Sequence, residues 1–325
     1  MIRKKVGVIC GGYSSEHKIS LQSGETVFSN LDRNKWDAFL IIIERSKWTG
    51  KDDRGNIYKV SKGDLRLTSN GKTIKIDLIF NLIHGSLGEN GQLAALCEIL
   101  EIPISSCDSY NAALTFNKRD CLSILREWKI PTAKYFTIDR DENINVDSII
   151  KKLGLPCFVK ANRSGSSFGI FKVYYKRNLL PSIKEAFKYD TQLIIESNLN
   201  GLEVSVGIAR YDNEIHVFPI TEIMTNNDFF DYNAKYEGQS EEITPARIEK
   251  SLEKELVFLS KKIYFKLGLK GFVRIEFIIV DEIPHILEVN SVPGMTEKSI
   301  IPQQIKAMNM NLSDFLSKIL IEALE

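Results

Sequence analysis

The stretch VRIEFIIVDEIPHILEVNSVPGMT, residues 273–296, decides how this chain is built. Apolar alternation in RIEFIIV leaves Arg274 and Glu276 on one face, and the same period of two leaves Glu288 and Asn290 on one face of HILEVN. The DEIP turn between the two runs predicts a hairpin in which these side chains converge. Carboxylate and amide oxygens are the ligands that Mg²⁺ prefers beside nucleotide phosphates. The stretch therefore predicts a magnesium-nucleotide site with Arg274 beside it.

The turn after this hairpin also favours a site. For an isolated E-x-N pattern, a solvated strand face is the ordinary alternative. Here the PGMT turn at residues 293–296 exposes backbone N–H groups, and Arg274 places a cation two residues before an acid. Together these features favour a binding site over a plain surface.

Length and composition are those of an ordinary globular protein. The 325 residues predict two or three compact units. With 43% hydrophobic residues, 26% charged residues and a net charge of +1, nothing indicates nucleic acid or an anionic membrane as partner. No run approaches the roughly 18 apolar residues of a membrane span, and residues 1–10 do not match a signal peptide. The five cysteines lack C-x-x-C spacing, which predicts reduced thiols in a cytosolic compartment, and the four histidines are too dispersed for zinc.

The first hundred residues alternate strand and helix patterns. Residues 5–10 and 38–43 are predicted strands, with a predicted helix over 19–31 between them. This βαβ pattern predicts a parallel sheet, in which ligands bind beyond the carboxyl ends of the strands. Two loops are expected there, GGYSSEH at 11–17 and HGSLGENG at 84–91.

Glu16 and His84 are the candidate residues of these two loops. Glu16 could simply be an acid at a helix N-terminus, where the macrodipole favours negative charge. His84 could be a strand-end residue with a local hydrogen bond. On their own, both residues leave a structural role open.

A second unit is predicted to begin near residues 117–118, with a helix over 118–128 and a strand over 156–160. The loop ANRSGSSFGI at 161–170 follows that strand, and its glycines and hydroxyls suit a loop that folds over phosphates. The chain has neither a Walker A loop nor a dinucleotide GxGxxG motif, so a nucleotide would need another architecture.

Four further positions suit a nucleotide. Lys160, at the end of its strand, is placed to neutralise phosphates. Glu196, Leu199 and Glu203 lie at the end of another predicted strand and could bind adenine and ribose. A solvated strand end remains the alternative for this group.

Five motifs in this order resemble the D-alanine–D-alanine ligase family of the ATP-grasp superfamily. The resemblance covers nearly the whole chain, and five ordered motifs are far more specific than any one of them. They are GGYSSEHKISLQSG (11–24), HGSLGENG (84–91), VKANRSGSSFGI (159–170), DYNAKYEGQSEEITPA (231–246) and EVNSVPGMTEKS (288–299).

The resemblance implies an α/β fold in three parts. Residues 1–107 would form an N-terminal, parallel-sheet (preATP-grasp) domain that binds substrate. A two-lobed ATP-grasp fold would follow, with a central lobe over 108–196 and a C-terminal lobe over 197–325 that carries the metal and substrate site. The two lobes would clamp ATP between them.

The resemblance also implies roles for the nucleotide-side residues. Two magnesium ions, or manganese in their place, would be held by Glu276, Glu288 and Asn290. ATP would be bound by the phosphate lysines Lys118 and Lys160, the loop residues Ser166 and Ser167, the adenosine-binding Glu196, Leu199 and Glu203, and Lys235.

For the substrates, the resemblance assigns Glu16, with His84 nearby, to the ammonium of the first D-alanine. Ser299 and the Ile300 backbone would hold the carboxylate of the second D-alanine. Arg274 and the Gly294 N–H would stabilise the oxyanion. Lys235 and Tyr236 would lie on a mobile loop near residues 231–238, with Tyr236 hydrogen-bonded towards Ser166 and Glu16.

The implied reaction joins two D-alanine molecules through a D-alanyl phosphate at the expense of ATP, for peptidoglycan synthesis. A cytoplasmic homodimer with no nucleic-acid or membrane partner is expected. The alternatives are a ligase that makes D-alanyl-D-lactate or D-alanyl-D-serine, a ligase for another carboxylate, and a catalytically silent ATP-grasp protein. The adjacent Lys235 and Tyr236 favour the dipeptide-forming subgroup.

Three positions depart from the family pattern. Glu276 replaces the usual aspartate and is one methylene longer, which predicts a shift in metal geometry or preference. Asn90 replaces the aspartate of GEDG, and Ala161 replaces a common proline. None of these changes removes a group that the reaction needs.

Overall fold

A computed structural model of the protein describes residues 3–165, 168–225 and 240–325. Its strands form three sheets, whose buried apolar residues make several hydrophobic cores, some of them shared between sheets. The predicted α/β class is confirmed. None of the described helices is long and apolar enough to cross a membrane.

The N-terminal sheet has seven strands in the order β6-β5-β4-β3-β2-β1-β7. They are β1 (Lys4–Gly11), β2 (Trp36–Ile43), β3 (Trp48–Asp52), β4 (Ile57–Val60), β5 (Leu67–Ser69), β6 (Lys72–Ile74) and β7 (Leu78–Asn81). The helices α1 (His17–Asn30) and α2 (Gln92–Ile99) belong to the same part of the chain.

The predicted parallel arrangement holds for only part of this sheet. Strand β1 pairs in parallel with β2 and β7, as the βαβ pattern predicts, but β2 to β6 form an antiparallel meander. A parallel pair needs a crossover connection of a dozen or more residues. The links between β2 and β6 are too short for that, so the sheet is mixed.

The second sheet is antiparallel, in the order β10-β9-β11-β8. Its strands are β8 (Tyr135–Asp139), β9 (Cys157–Ala161), β10 (Ile170–Val173) and β11 (Gln192–Ser197). The helices α5 (Val146–Leu153) and α6 (Lys176–Ala186) supply Ile149, Leu179 and Ile183 to a core with Val159 and Ile195.

The third sheet has six strands, in the order β15-β14-β12-β16-β17 with β13 paired to β12. They are β12 (Leu202–Tyr211), β13 (Glu214–Val217), β14 (Thr221–Thr225), β15 (Ser240–Ile243), β16 (Phe272–Val280) and β17 (Ile283–Asn290). The associated helices are α3 (Ser109–Phe116), α4 (Lys118–Glu127), α7 (Lys250–Lys266), α8 (Ile300–Ala307) and α9 (Leu312–Leu324).

Two packing contacts connect the three sheets. Ile194 of the second sheet lies in the core of the third sheet with Leu122 of α4, whereas Phe315 of α9 packs in one core with Phe80 of the N-terminal sheet. The cavity described below therefore lies among elements that share buried contacts. The domain limits at residues 107 and 196 stay predictions.

The hairpin predicted from residues 273–296 is confirmed. Strands β16 and β17 pair antiparallel, and the turn residues Asp281 and Glu282 both have positive φ, 49° and 64°. Two consecutive residues of positive φ form the tight turn whose twist matches a hairpin. The register places Glu276 opposite Glu288, with an irregularity immediately afterwards that leaves Leu287 without a directly opposed residue.

Candidate active site

Described residues enclose a cavity of about 890 Å³ and an adjoining one of about 100 Å³, which share Lys118, Arg274 and Glu288 in their linings. Every predicted site residue within the described ranges lines one or both. These residues are Glu16, His84, Lys118, Lys160, Glu196, Leu199, Glu203, Arg274, Glu276, Glu288, Asn290, Gly294, Ser299 and Ile300. The structure thus brings together residues that are separated by nearly the whole chain.

Two lysines on the nucleotide side are paired with carboxylates. Lys160 of β9 lies 2.5 Å from Glu196 of the neighbouring strand β11 (Nζ to Oε2). Burial lowers the pKa of Lys160, but the nearby carboxylates, with Glu196 foremost, outweigh burial and leave that pKa above its usual value. The ammonium is therefore held in its charged form, as phosphate binding requires.

Lys118, at the start of α4, is the second of these lysines. Its Nζ lies 3.3 Å from Oε2 of Glu288 and donates a hydrogen bond of 2.7 Å to the carbonyl oxygen of Ser164. Because Ser164 lies in the loop at 161–170, called here the glycine–serine loop, this bond holds the lysine against that loop. Both cations thus line the smaller cavity, Lys160 from a strand of the second sheet and Lys118 from a helix that packs on the third sheet.

The carboxylates of the β16–β17 hairpin could bind a hard cation. Glu276 accepts a hydrogen bond of 3.2 Å from Ser205 and lies 2.5 Å from Nε of Arg274, all through Oε1. Its other oxygen, Oε2, is buried and has no hydrogen-bond partner among the described residues. A buried carboxylate oxygen without a partner is costly unless a cation or donor reaches it.

The donor set therefore fits magnesium. Glu276 and Glu288 are directly opposed, and Asn290 lies on the same strand as Glu288, where its Oδ1 accepts a hydrogen bond of 3.0 Å from the Val292 N–H. Within the described ranges no group of three or more His, Cys, Asp or Glu residues is arranged to hold a metal ion. The protein would supply part of the coordination shell and nucleotide phosphates the remainder, which is the usual arrangement for Mg²⁺.

The smaller cavity has an apolar wall that sequence reasoning missed. Phe158, Ile278 and Leu287 line it together with Leu199 and Glu203. Phe158 could have been found, because it lies two residues before Lys160 and shares its face of the strand. Leu287 could not, since it reaches the cavity at an irregularity in strand pairing that the alternating pattern does not reveal.

His84 is fixed in a buried position. Its Nδ1 lies 2.8 Å from the carbonyl oxygen of Val292 and its Nε2 lies 3.2 Å from Oγ of Ser23. Burial lowers the pKa of His84, although Glu16 and the Val292 carbonyl act in the opposite direction. A neutral imidazole whose Nδ1–H donates to Val292 fits these contacts.

Glu16 is buried where two glycine-containing loops meet. A Cβ on Gly85 would lie 3.0 Å from Oε2 of Glu16, and a Cβ on Gly165 would lie 2.7 Å from the same oxygen. Gly85 also has a φ of 71°, a conformation that side chains disfavour. The carboxylate thus packs against backbone from both the N-terminal part and the glycine–serine loop.

Glu89 is a site residue that sequence reasoning missed. It is buried, lines the larger cavity, and its Oε2 accepts a hydrogen bond of 2.7 Å from the N–H of Gly85. Burial, reinforced by the charge of Glu16, raises the pKa of Glu89 to about 8. Its position within the GENG loop was the available signal, but only the fold shows that it is buried beside Glu16.

The other end of the larger cavity is formed by the turn before α8. Oγ of Ser299 accepts a hydrogen bond of 3.1 Å from the Thr296 N–H, and a Cβ on Gly294 would lie 2.8 Å from that Oγ. Gln303 and Glu242 also line this end and were not predicted from the sequence. The predicted residues Ser166, Ser167, Lys235 and Tyr236, and the predicted mobile loop at 231–238, lie outside the described residues.

Comparison with known proteins agrees with this arrangement. Residues 5–107 match the family model for the D-ala D-ala ligase N-terminus, and residues 124–321 match the model for the C-terminus. The chain is 49% identical over 314 residues to a D-alanine–D-alanine ligase from Flavobacterium johnsoniae, covering 97% of each chain.

Two solved structures extend the comparison. One is the VanG D-Ala:D-Ser ligase from Enterococcus faecalis, 32% identical, with a TM-score of 0.86 over 99% of this chain and all of that one. The other is a D-alanine–D-alanine ligase from Bacillus anthracis complexed with ATP, 27% identical, with a TM-score of 0.80 over 99% of this chain and 97% of that one. Matched in sequence by both family models and in fold by these structures, the chain belongs to the D-alanine–D-alanine ligase family.

Proposed function

We propose that this protein joins two molecules of D-alanine to D-alanyl-D-alanine, with ATP converted to ADP and phosphate. One observation carries the proposal. Glu16, Arg274 and Ser299 line the larger cavity, and the residues of the nucleotide side line either that cavity or the adjoining smaller one. One space is then lined by three groups with different roles. Glu16 is a carboxylate for one amino acid, Arg274 is a cation for the developing oxyanion, and Ser299 precedes a helix N-terminus that can bind a second amino acid.

The first half of the reaction makes the carboxylate reactive. Glu16 binds the ammonium of the first D-alanine, and Lys118 and Lys160 hold the phosphates of ATP. The substrate carboxylate attacks the γ-phosphate to give D-alanyl phosphate and ADP. Glu276, Glu288 and Asn290 would hold Mg²⁺, which neutralises phosphate charge when bound.

The second half forms the amide bond. Ser299 and the N–H groups at the start of α8 bind the carboxylate of the second D-alanine, because a helix N-terminus favours an anion. The amine attacks the acyl phosphate, Arg274 and the Gly294 N–H stabilise the oxyanion, and phosphate leaves. The dipeptide would serve peptidoglycan synthesis in the cytoplasm.

Three exposed apolar side chains on contacting segments, called here the apolar patch, support a homodimer. Ile99, Tyr110 and Phe265 are 79%, 69% and 78% exposed. The segments that carry these side chains are in contact, since the Ser109 N–H donates to Glu98 and the Asn111 side chain donates to the Gly268 carbonyl. A second copy of the chain would bury this patch, and light scattering of the Phe265→Glu variant tests it.

The deciding experiment for the activity measures ADP release with ATP, Mg²⁺ and D-alanine, with L-alanine as control and product identification by mass. D-alanine-dependent ADP with a D-alanyl-D-alanine product is expected. Parallel reactions with D-serine and D-lactate as second substrate test the alternative acceptors. Tight ATP binding without D-alanine-dependent turnover would contradict the proposal.

A further inference from the structure

Glu242 lies at the second-substrate end of the larger cavity, on strand β15. Its Oε2 accepts a hydrogen bond of 2.5 Å from Nε2 of Gln303, and the same nitrogen donates to the carbonyl oxygen of Lys298 at 2.9 Å. The Gln303 N–H in turn donates to the Ser299 carbonyl at 3.3 Å. Gln303 therefore fixes the Glu242 carboxylate beside the turn that carries Ser299.

The proposed reaction needs a proton acceptor at this end. An amino acid enters as an ammonium ion, which has no lone pair and cannot attack an acyl phosphate. Arg274 and the N–H groups of Gly294 and Ile300 are donors only, and Arg274 keeps its proton throughout. A carboxylate near Ser299 would meet the requirement.

Burial distinguishes Glu242 from the other acids nearby. Glu241 and Glu297 also line this end of the cavity, but both are exposed to solvent, whereas Glu242 is half-buried. Glu16 and Glu89 belong to the first-substrate end, and Glu276 and Glu288 to the metal face. Among the described acids, Glu242 thus combines partial burial with a position beside the second-substrate turn.

The charges around Glu242 suit this role. Burial raises its pKa and Glu276 acts in the same direction, while the hydrogen bond from Gln303 and the charge of Arg274 partly oppose the rise. Lys298, on the turn, is the other cation at this end. A carboxylate with a raised pKa is a better proton acceptor near neutral pH than an ordinary one.

We propose that Glu242, held in place by Gln303, takes the proton from the ammonium group of the second D-alanine. One N–H bond of the ammonium breaks and an O–H bond forms on the Glu242 carboxylate. The freed lone pair attacks the acyl carbon, and the carbon–oxygen bond to phosphate breaks with its electron pair on phosphate. The second proton on nitrogen leaves with the phosphate. This inference rests on the proposed ligase function.

The test compares Glu242→Gln with wild type for two nucleophiles. Glutamine keeps the size of the side chain and an oxygen that accepts from Gln303, but removes the proton acceptor. D-Alanine is the ammonium nucleophile, and hydroxylamine, which is neutral at the assay pH, traps D-alanyl phosphate as the hydroxamate. Glu249→Gln, an equal charge change at an exposed position before α7, is the matched control.

We expect Glu242→Gln to lower kcat/KM for the second D-alanine about 100-fold, the usual scale of general base catalysis, with hydroxamate formation nearly unchanged. Its pH profile should lose the limb that rises as Glu242 ionises. Gln303→Met, which releases the carboxylate without removing it, should lower the same constant by a smaller factor.

Equal losses for both nucleophiles, or no loss with D-alanine, would overturn the inference. If Glu242→Gln does not fold, as judged by its thermal melt, Gln303→Met alone decides by the same two-nucleophile comparison. Failure of the proposed ligase function can be distinguished from failure of this inference. In the first case the wild-type protein would release no ADP in response to D-alanine.

Discussion

The nucleotide end and the amino-acid end of the two adjoining cavities are built on different principles. At the nucleotide end, side-chain cations face side-chain carboxylates, with separations of 2.5 to 3.3 Å in the pairs Lys160–Glu196, Arg274–Glu276 and Lys118–Glu288. At the amino-acid end, titratable side chains contact backbone or neutral groups instead: His84 with the Val292 carbonyl, Glu89 with the Gly85 N–H, and Glu242 with Gln303.

This difference indicates what each end has to do. A nucleotide with its metal ions brings both signs of charge, so paired cations and carboxylates at that end can take the phosphates and the metal respectively. Contacts to backbone and neutral groups fix the geometry of the amino-acid end, and burial is the main cause of the shifted pKa values of His84, Glu89 and Glu242. Substitutions at the nucleotide end should therefore change turnover and the balance of charge. Substitutions at the amino-acid end should change the binding or the protonation of the amino acids.

The largest effect is expected for Arg274→Ala. Loss of an oxyanion-stabilising cation should lower kcat about 100- to 1000-fold, with the affinity for ATP much less affected. Steady-state kinetics and nucleotide binding measure the two quantities. Since Glu276 would lose its 2.5 Å partner, a thermal melt must accompany them, and Arg274→Lys is the charge-preserving control. An equal loss of ATP affinity would place Arg274 in nucleotide binding instead.

Glu16→Gln is expected to act at the amino-acid end alone. Replacing the carboxylate removes a charge-assisted hydrogen bond to the first ammonium, and the KM for the first D-alanine should rise about 10- to 100-fold. The KM for ATP should stay near its wild-type value. Initial rates over a grid of D-alanine and ATP concentrations separate the two. A parallel rise in both constants would show that Glu16 supports the glycine–serine loop rather than the substrate.

Glu89→Gln tests the buried acid through stability. The folded pKa of about 8 lies above the ordinary 4.5, so the folded state binds more protons between these values. The free energy of unfolding of wild type should therefore fall as pH rises through that window, by up to about 5 kcal/mol for the full shift. Urea unfolding at several pH values should show this slope in wild type and its loss in Glu89→Gln. A slope that persists in the variant would assign it to another group.

The smallest effect is expected for Glu276→Asp, which restores the usual family residue. Both side chains offer carboxylate oxygens, so activity with Mg²⁺ should change only about threefold, while the ratio of Mg²⁺ to Mn²⁺ activation shifts. Titration of activity with each metal measures this ratio. Glu276→Ala is the contrasting variant and should lose nearly all activity. Identical metal curves for wild type and Glu276→Asp would show that the extra methylene has no consequence for the metal.

Much of the candidate site was readable from local patterns. The period of two is enough to place Arg274 with Glu276 and Glu288 with Asn290, and the hairpin follows from the turn between them. The ordered motifs indicate the family. These features are local in sequence, and backbone geometry alone brings them together.

Other features did not follow from the local alternation of apolar residues. Five of the seven N-terminal strands, β2 to β6, form the antiparallel meander that the βαβ pattern did not predict. Leu287 enters the smaller cavity only because pairing between β16 and β17 is irregular there.

Patterns in the amino-acid chain were sufficient for the family, the hairpin with its acids, and most residues that line the cavity. Which of the many other acids take part followed from the tertiary fold alone, because burial and charge depend on neighbours from distant segments. Glu89 lies beside Glu16 through loop packing, and Glu242 meets Gln303 across the fold. Burial and nearby negative charges raise the pKa values of these two carboxyls. Neither effect can be predicted from a local sequence pattern.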